Sequence, residues 1–196
     1  MRRVILLLTV MAAASVFAGG AVLAAKINGT DRDDRLVGTP NIDTIRGFAG
    51  DDTMLGRGGS DSLRGGAGAD TIRGEGDHDT IYGYTGADTM KGDTGKDTIY
   101  GYSGDDTLRG GPGDDRLYGG RDDDTIYGDR GDDTTDGQAG TDTLVGGPGN
   151  DRIFDGSGQN HYIDARDGEE DIICVERGEG RVEADRQDRF ISNQSC

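Results

Sequence analysis

The chain is 196 residues long, with 38 acids against 21 lysines and arginines, 37 glycines, two cysteines and two histidines. A net charge of −17 excludes nucleic acid as a partner, because phosphate repels such a surface. The few cysteines and histidines, none at ligand spacing, exclude a zinc or iron site.

The chain opens on Met1-Arg2-Arg3, and Val4 to Ala25 then run without a charge. Two arginines, an apolar stretch and the exit Val22-Leu23-Ala24 predict a secretory signal peptide over residues 1–24. The same stretch is long enough to span a bilayer as an uncleaved anchor. The Gly19-Gly20 break and the small residues after it favour cleavage. The expectation is a secreted or cell-surface protein that is not membrane-integral once the leader is removed.

From Gly29 a nine-residue frame repeats fourteen times, to residue 154, with no insertion. Position one is always Gly. Position six is always Asp: Asp34, Asp43, Asp52, Asp61, Asp70, Asp79, Asp88, Asp97, Asp106, Asp115, Asp124, Asp133, Asp142 and Asp151. Position eight is apolar in thirteen frames, from Leu36 to Ile153, with Thr135 the exception. Position four is Gly except at Arg32, Asn41, Asp77 and Asp122. A disordered Gly/Asp spacer shares this composition, but it has no reason to hold one apolar side chain at a fixed phase. It remains a description of the metal-free state.

Each frame divides into a Gly/Asp-rich turn and a short strand, such as Thr-Ile-Tyr, with its middle residue inward. Three-residue strands and six-residue turns predict a solenoid of two strands per eighteen-residue coil, about seven coils over residues 25–154. Residues eighteen apart then stack: Tyr82, Tyr100 and Tyr118 with Phe154 further along, Arg73 with Lys91 and Arg109, and Thr80 with Thr98 in a hydroxyl row. Thirteen inward side chains are a thin core for such a chain, and thin cores need staples, a metal among them. Position-six carboxylates on successive coils stand one rung apart and repel unless a cation lies between them. Carboxylate and glycine carbonyl oxygens on a flexible turn suit calcium better than magnesium.

The frame G-x-x-G-x-D-x-hydrophobic-x, as in GGAGADTIR and GGPGDDRLY, resembles the repeats-in-toxin (haemolysin-type) calcium-binding nonapeptide. The resemblance implies an all-β, right-handed parallel β-roll. It also implies calcium between successive turns, held by the fourteen aspartates named above and by early-position carbonyls. Pairing frames two apart gives twelve internal sites, and the irregular turns reduce the expectation to about ten ions, enough nearly to neutralise the chain.

After Phe154 the beat decays. DGSGQNHYI puts Asn160 where Asp should stand, and His161, like His78, reads as exposed and idle. Hydrophobic pulses at Ile172-Ile173, Val182 and Phe190-Ile191 predict two or three irregular rungs, so residues 155–196 read as a cap. Cys174 and Cys196 are expected to pair in an exported protein, with free thiols the other reading. There is no H-E-x-x-H, no nucleophile elbow and no P-loop, so the expectation is a calcium-binding protein and not an enzyme. The alternative function is recognition of a repetitive ligand such as polysaccharide by the outer Tyr or Thr rows.

Overall fold

The computed structural model describes residues 24–158, 161–175 and 180–192. Residues 1–23 of the predicted leader, Asn160 and Cys196 lie outside the described residues.

Nineteen strands follow one another among the described residues. They are β1 (Lys26–Asn28), β2 (Arg35–Val37), β3 (Thr44–Ala49), β4 (Thr53–Arg57), β5 (Ser62–Ala67), β6 (Thr71–Gly76) and β7 (Thr80–Thr85). The series continues with β8 (Thr89–Thr94), β9 (Thr98–Ser103), β10 (Thr107–Pro112), β11 (Arg116–Arg121), β12 (Thr125–Arg130) and β13 (Thr134–Ala139). It ends with β14 (Thr143–Val145), β15 (Arg152–Phe154), β16 (Tyr162–Ala165), β17 (Ile172–Val175), β18 (Arg181–Ala184) and β19 (Arg189–Ser192). Odd strands form one ten-stranded sheet and even strands a nine-stranded one. Every pair is parallel, and each strand bonds to the one two places on. The chain is therefore an all-β parallel β-solenoid of about nine turns, with no helix among the described residues.

The turn count exceeds the seven expected because the solenoid extends beyond the regular array at both ends. β1 adds a strand ahead of Gly29. β16 to β19 form further rungs in the predicted cap. Inside the array the register is eighteen residues: Thr80, Ile81 and Tyr82 face Thr98, Ile99 and Tyr100. In the cap Thr143 faces Tyr162 and Arg152 faces Ile172, so the register absorbs one and two extra residues there.

Most array strands are six residues long, twice the expected length. Pairing does not stop at position nine. It continues into the turn, where Tyr84 faces Tyr102 and Thr85 faces Ser103. Turn residues can pair because position two adopts a left-handed backbone, with φ 85° at Tyr84 and 80° at Tyr102. The position-eight residues form the core, fully buried from Leu36 to Ile153. Thr135 takes its place in the same row, and its Oγ1 is buried without a hydrogen-bond partner.

The outer rows follow the register. Tyr82, Tyr100 and Tyr118 stack with centroids 5.3 and 5.0 Å apart. A second column, unseen in the nine-residue frame, joins Tyr84 to Tyr102 at 5.2 Å. Asp136 separates Tyr118 from Phe154, so the expected continuation of the tyrosine stack to Phe154 is interrupted. Arg73, Lys91 and Arg109 stand in one row as expected. The hydroxyl row at Thr80 and Thr98 has a longer counterpart on the even sheet, from Thr53 through Thr71, Thr89, Thr107 and Thr125 to Thr143.

Candidate metal sites

All fourteen position-six aspartates are buried. Each falls just before its strand, so each carboxylate lies inside a turn and none reaches solvent. The solenoid gathers them into two rows, one along each line of turns. Within a row each main-chain N–H, that of Asp142 excepted, donates to the Oδ1 of the aspartate one coil on. Asp34 N–H donates to Asp52 at 2.8 Å, Asp52 to Asp70 at 2.8 Å and Asp79 to Asp97 at 2.7 Å. This leaves Oδ2. In every frame from Asp52 to Asp151 that oxygen is buried and lacks a hydrogen-bond partner. A run of orphaned carboxylate oxygens is costly unless something positive meets it.

The free oxygen points at the first glycine of its own turn. A Cβ placed on Gly83 would lie 2.3 Å from Asp88 Oδ2 and 3.0 Å from the Gly101 carbonyl oxygen of the next coil. One point thus lies within reach of a carboxylate and a main-chain carbonyl, and only hydrogen on the glycine leaves it open. Among the described residues no three His, Cys, Asp or Glu side chains gather in one group. The donor set is one carboxylate per turn with backbone carbonyls. These are hard oxygen ligands on a compliant loop, which fit calcium.

The first two frames differ. Thr30 N–H and Oγ1 donate to Asp34 Oδ2, and Thr39 N–H donates to Asp43 Oδ2 at 2.5 Å. Protein donors already satisfy those two carboxylates. At Asp77 and Asp122, where position four lacks glycine, the backbone still takes the left-handed conformation, φ 69° and 75°. Asp79 and Asp124 remain buried with Oδ2 orphaned, so these turns keep their shape.

The cap supplies two residues that the nine-residue count missed. Asp171 extends one row: Asp151 N–H donates to its Oδ1 at 2.8 Å, and its Oδ2 is buried and orphaned. His161 ends the other row. It is 3% exposed, not idle on the surface, and its Nδ1 accepts the Asp142 N–H at 3.1 Å. Nε2 is buried without a hydrogen-bond partner, so His161 puts a ring nitrogen where each preceding rung puts a free carboxylate oxygen. The sequence did hold a signal. Asp171-Ile172-Ile173 and His161-Tyr162-Ile163 repeat the polar–x–apolar spacing of Asp151-Arg152-Ile153, shifted by inserted residues. Cys174 is buried on β17, opposite Phe154 and Ile191.

Burial raises the carboxyl pKa values along both rows, and neighbouring carboxylates add to the effect while the N–H donors oppose it. Asp52, Asp70, Asp106, Asp142 and Asp171 rise to about 6. Asp61, Asp88, Asp115 and Asp151 rise to about 7, and Asp79, Asp124 and Asp133 to about 8. Without a cation these turns bind protons more tightly than exposed carboxylates do.

The RTX calcium-binding nonapeptide repeat, in four-copy form, matches residues 28–63, 55–90, 64–99, 82–117, 100–135, 109–144 and 136–163. The chain belongs to this family. RTX nonapeptide repeats bind calcium, and the two rows of cradles lie within the matched span, apart from Asp171. No curated protein matches the chain.

Proposed function

We propose that this RTX protein is an exported calcium-binding β-roll that binds several ions between successive turns and folds as it binds them. The observation that carries the proposal is the continuous run of buried, unpartnered Oδ2 atoms from Asp52 to Asp151. In this reading calcium takes the place of the missing donor, with the carbonyls of neighbouring coils completing each site. Asp171 joins the ligand set, while Asp34 and Asp43, with threonine donors on Oδ2, are its weakest members. About ten ions remain the proposal.

Residues 1–24 act as a signal peptide, residues 25–154 as the roll and residues 155–196 as its cap, tied by a Cys174–Cys196 disulfide. The chain has no catalytic role. Folding outside the cell follows from low calcium within it and higher calcium beyond. The test is a far-UV circular dichroism titration of the chain with calcium, and with magnesium as control. Cooperative gain of β signal with calcium alone supports the proposal; a signal unchanged by calcium sinks it.

A second reading is recognition of a repetitive polysaccharide. The six-residue threonine row from Thr53 to Thr143 favours it, since it sets hydroxyls at a constant strand spacing. The tyrosine columns favour it less, because their rings lie 5° to 9° from parallel and cover each other's faces. A glycan array probed in calcium separates the readings.

A further inference from the structure

The position-two column on the odd sheet runs Phe48, Gly66, Tyr84, Tyr102. Tyr84 and Tyr102 stack nearly parallel, 5° apart. Tyr102 therefore covers one face of Tyr84, and the other face looks toward the Gly66 rung. Gly66 has no side chain to fill that rung, and Phe48 follows on the far side of it. Phe48 and Tyr84 are both exposed, 49% and 38%, and they line one groove of about 510 Å³ with Arg46, Arg64, Gly65, Gly66 and Ala67.

The register fixes the dimension of this gap. Two parallel rungs span about 9.5 Å. A ring inserted midway would lie about 4.8 Å from each neighbour, within the stacking range. That spacing is close to the 5.2 Å found between Tyr84 and Tyr102. On that strand spacing the gap has room for one ring.

The charge beside it is also specific. Arg64 stands on the same rung as Gly66 and Arg46 on the rung of Phe48, directly opposite each other in register. Like charges so placed repel. Each Nε is buried without a hydrogen-bond partner. In a chain of net charge −17, neither arginine is paired with a carboxylate among the described residues, while Arg73 and Arg109 both are. Arg64 instead lies over the Tyr82 ring, 5.5 Å from its centroid. The pair lacks an anion.

We propose that the slot between Phe48 and Tyr84 binds a single-ring aromatic carboxylate, the ring filling the rung that Gly66 leaves open and the carboxylate meeting Arg64 and Arg46. The next gap in the column, at Gly120, is an internal contrast. It has Tyr102 on one side but Gln138 on the other, and Asp136 lines its groove. One ring and an acid do not make an aromatic sandwich for an anion.

The test uses the calcium-loaded full chain and two probes of like size and charge, benzoate and cyclohexanecarboxylate, with glucuronate as a sugar acid. Binding is followed by saturation-transfer NMR and by amide shifts. Benzoate is expected to saturate, to shift Gly66 and Tyr84 and to leave Gly120 unmoved, with at least tenfold preference over both other probes. F48S, and separately the pair R46Q and R64Q, should weaken it tenfold or more while the circular dichroism spectrum is retained. The proposal is overturned if cyclohexanecarboxylate binds as well, if glucuronate binds better, or if benzoate shows no site. The comparison of probes on the unaltered protein stands even where a variant fails to fold.

Discussion

A glycine at the head of each turn keeps open the space into which an aspartate and a carbonyl converge. Filling that space is the sharpest test of the site. Gly83 has an ordinary backbone, so alanine there strains nothing except the cradle, where its Cβ would lie 2.3 Å from Asp88 Oδ2. Gly83→Ala should remove one calcium ion by native mass spectrometry and lower the stability of the loaded fold by about 1–3 kcal/mol. D88N, which keeps the Oδ1 acceptor for the Asp70 N–H but not the charge, should lose the same ion. His161 gives the converse prediction. It stands on the rung after Asp142, where its Nδ1 accepts the Asp142 N–H but it brings no carboxylate, so His161→Asp should add one calcium ion to the count. The fourteen array aspartates were legible because the period never slips. Asp171 and His161 were not, because hydrogen-bond register, rather than residue count, places them opposite Asp151 and Asp142.

The element carries the same lesson in its core row. Position eight was readable as inward from alternation alone, and every such side chain from Leu36 to Ile153 is buried. Thr135 is the polar member, buried at 0% with Oγ1 unpartnered. Its neighbours in register are Leu117 and Ile153. Thr135→Val keeps the shape and removes an unsatisfied hydroxyl, so it should stabilise the loaded fold by about 1 kcal/mol, read as a rise in melting temperature. A fall would mean that the hydroxyl finds a partner in solution. Strand length was less legible than strand phase. The sequence shows where side chains alternate but not that residues such as Phe48 and Tyr84 accept φ near 85° and carry pairing into the turn. The second tyrosine column and the gap at Gly66 both arise from that extension, which is why the nine-residue frame concealed them.

At the scale of the whole molecule the question is what balances two rows of buried carboxylates. Protons can do so as well as calcium, and the sign follows from the pKa values. In the unfolded chain these carboxyls titrate near 3.8; in the fold Asp52 rises to about 6, Asp88 to about 7 and Asp124 to about 8, chiefly through burial. Between those limits the metal-free fold binds more protons than the unfolded chain, so its stability falls as pH rises. The proton contribution is fully present below the unfolded value and is lost as pH passes through about 6 to 8. In a chelator, the β signal should therefore persist near about pH 5.5 and disappear near about pH 8. Calcium added at the higher pH should restore it. Calcium added at the lower pH should release protons into a weakly buffered solution, because ion and proton compete for one oxygen. Circular dichroism at the two pH values, with and without calcium, checks the first two outcomes, and a pH indicator in the weakly buffered solution checks the third. Equal β signal at both pH values in chelator would mean that the outer ladders and core row hold the solenoid unaided. Calcium would then be cargo on a preformed scaffold, and the thin core of one side chain per nine residues would have to be sufficient in itself.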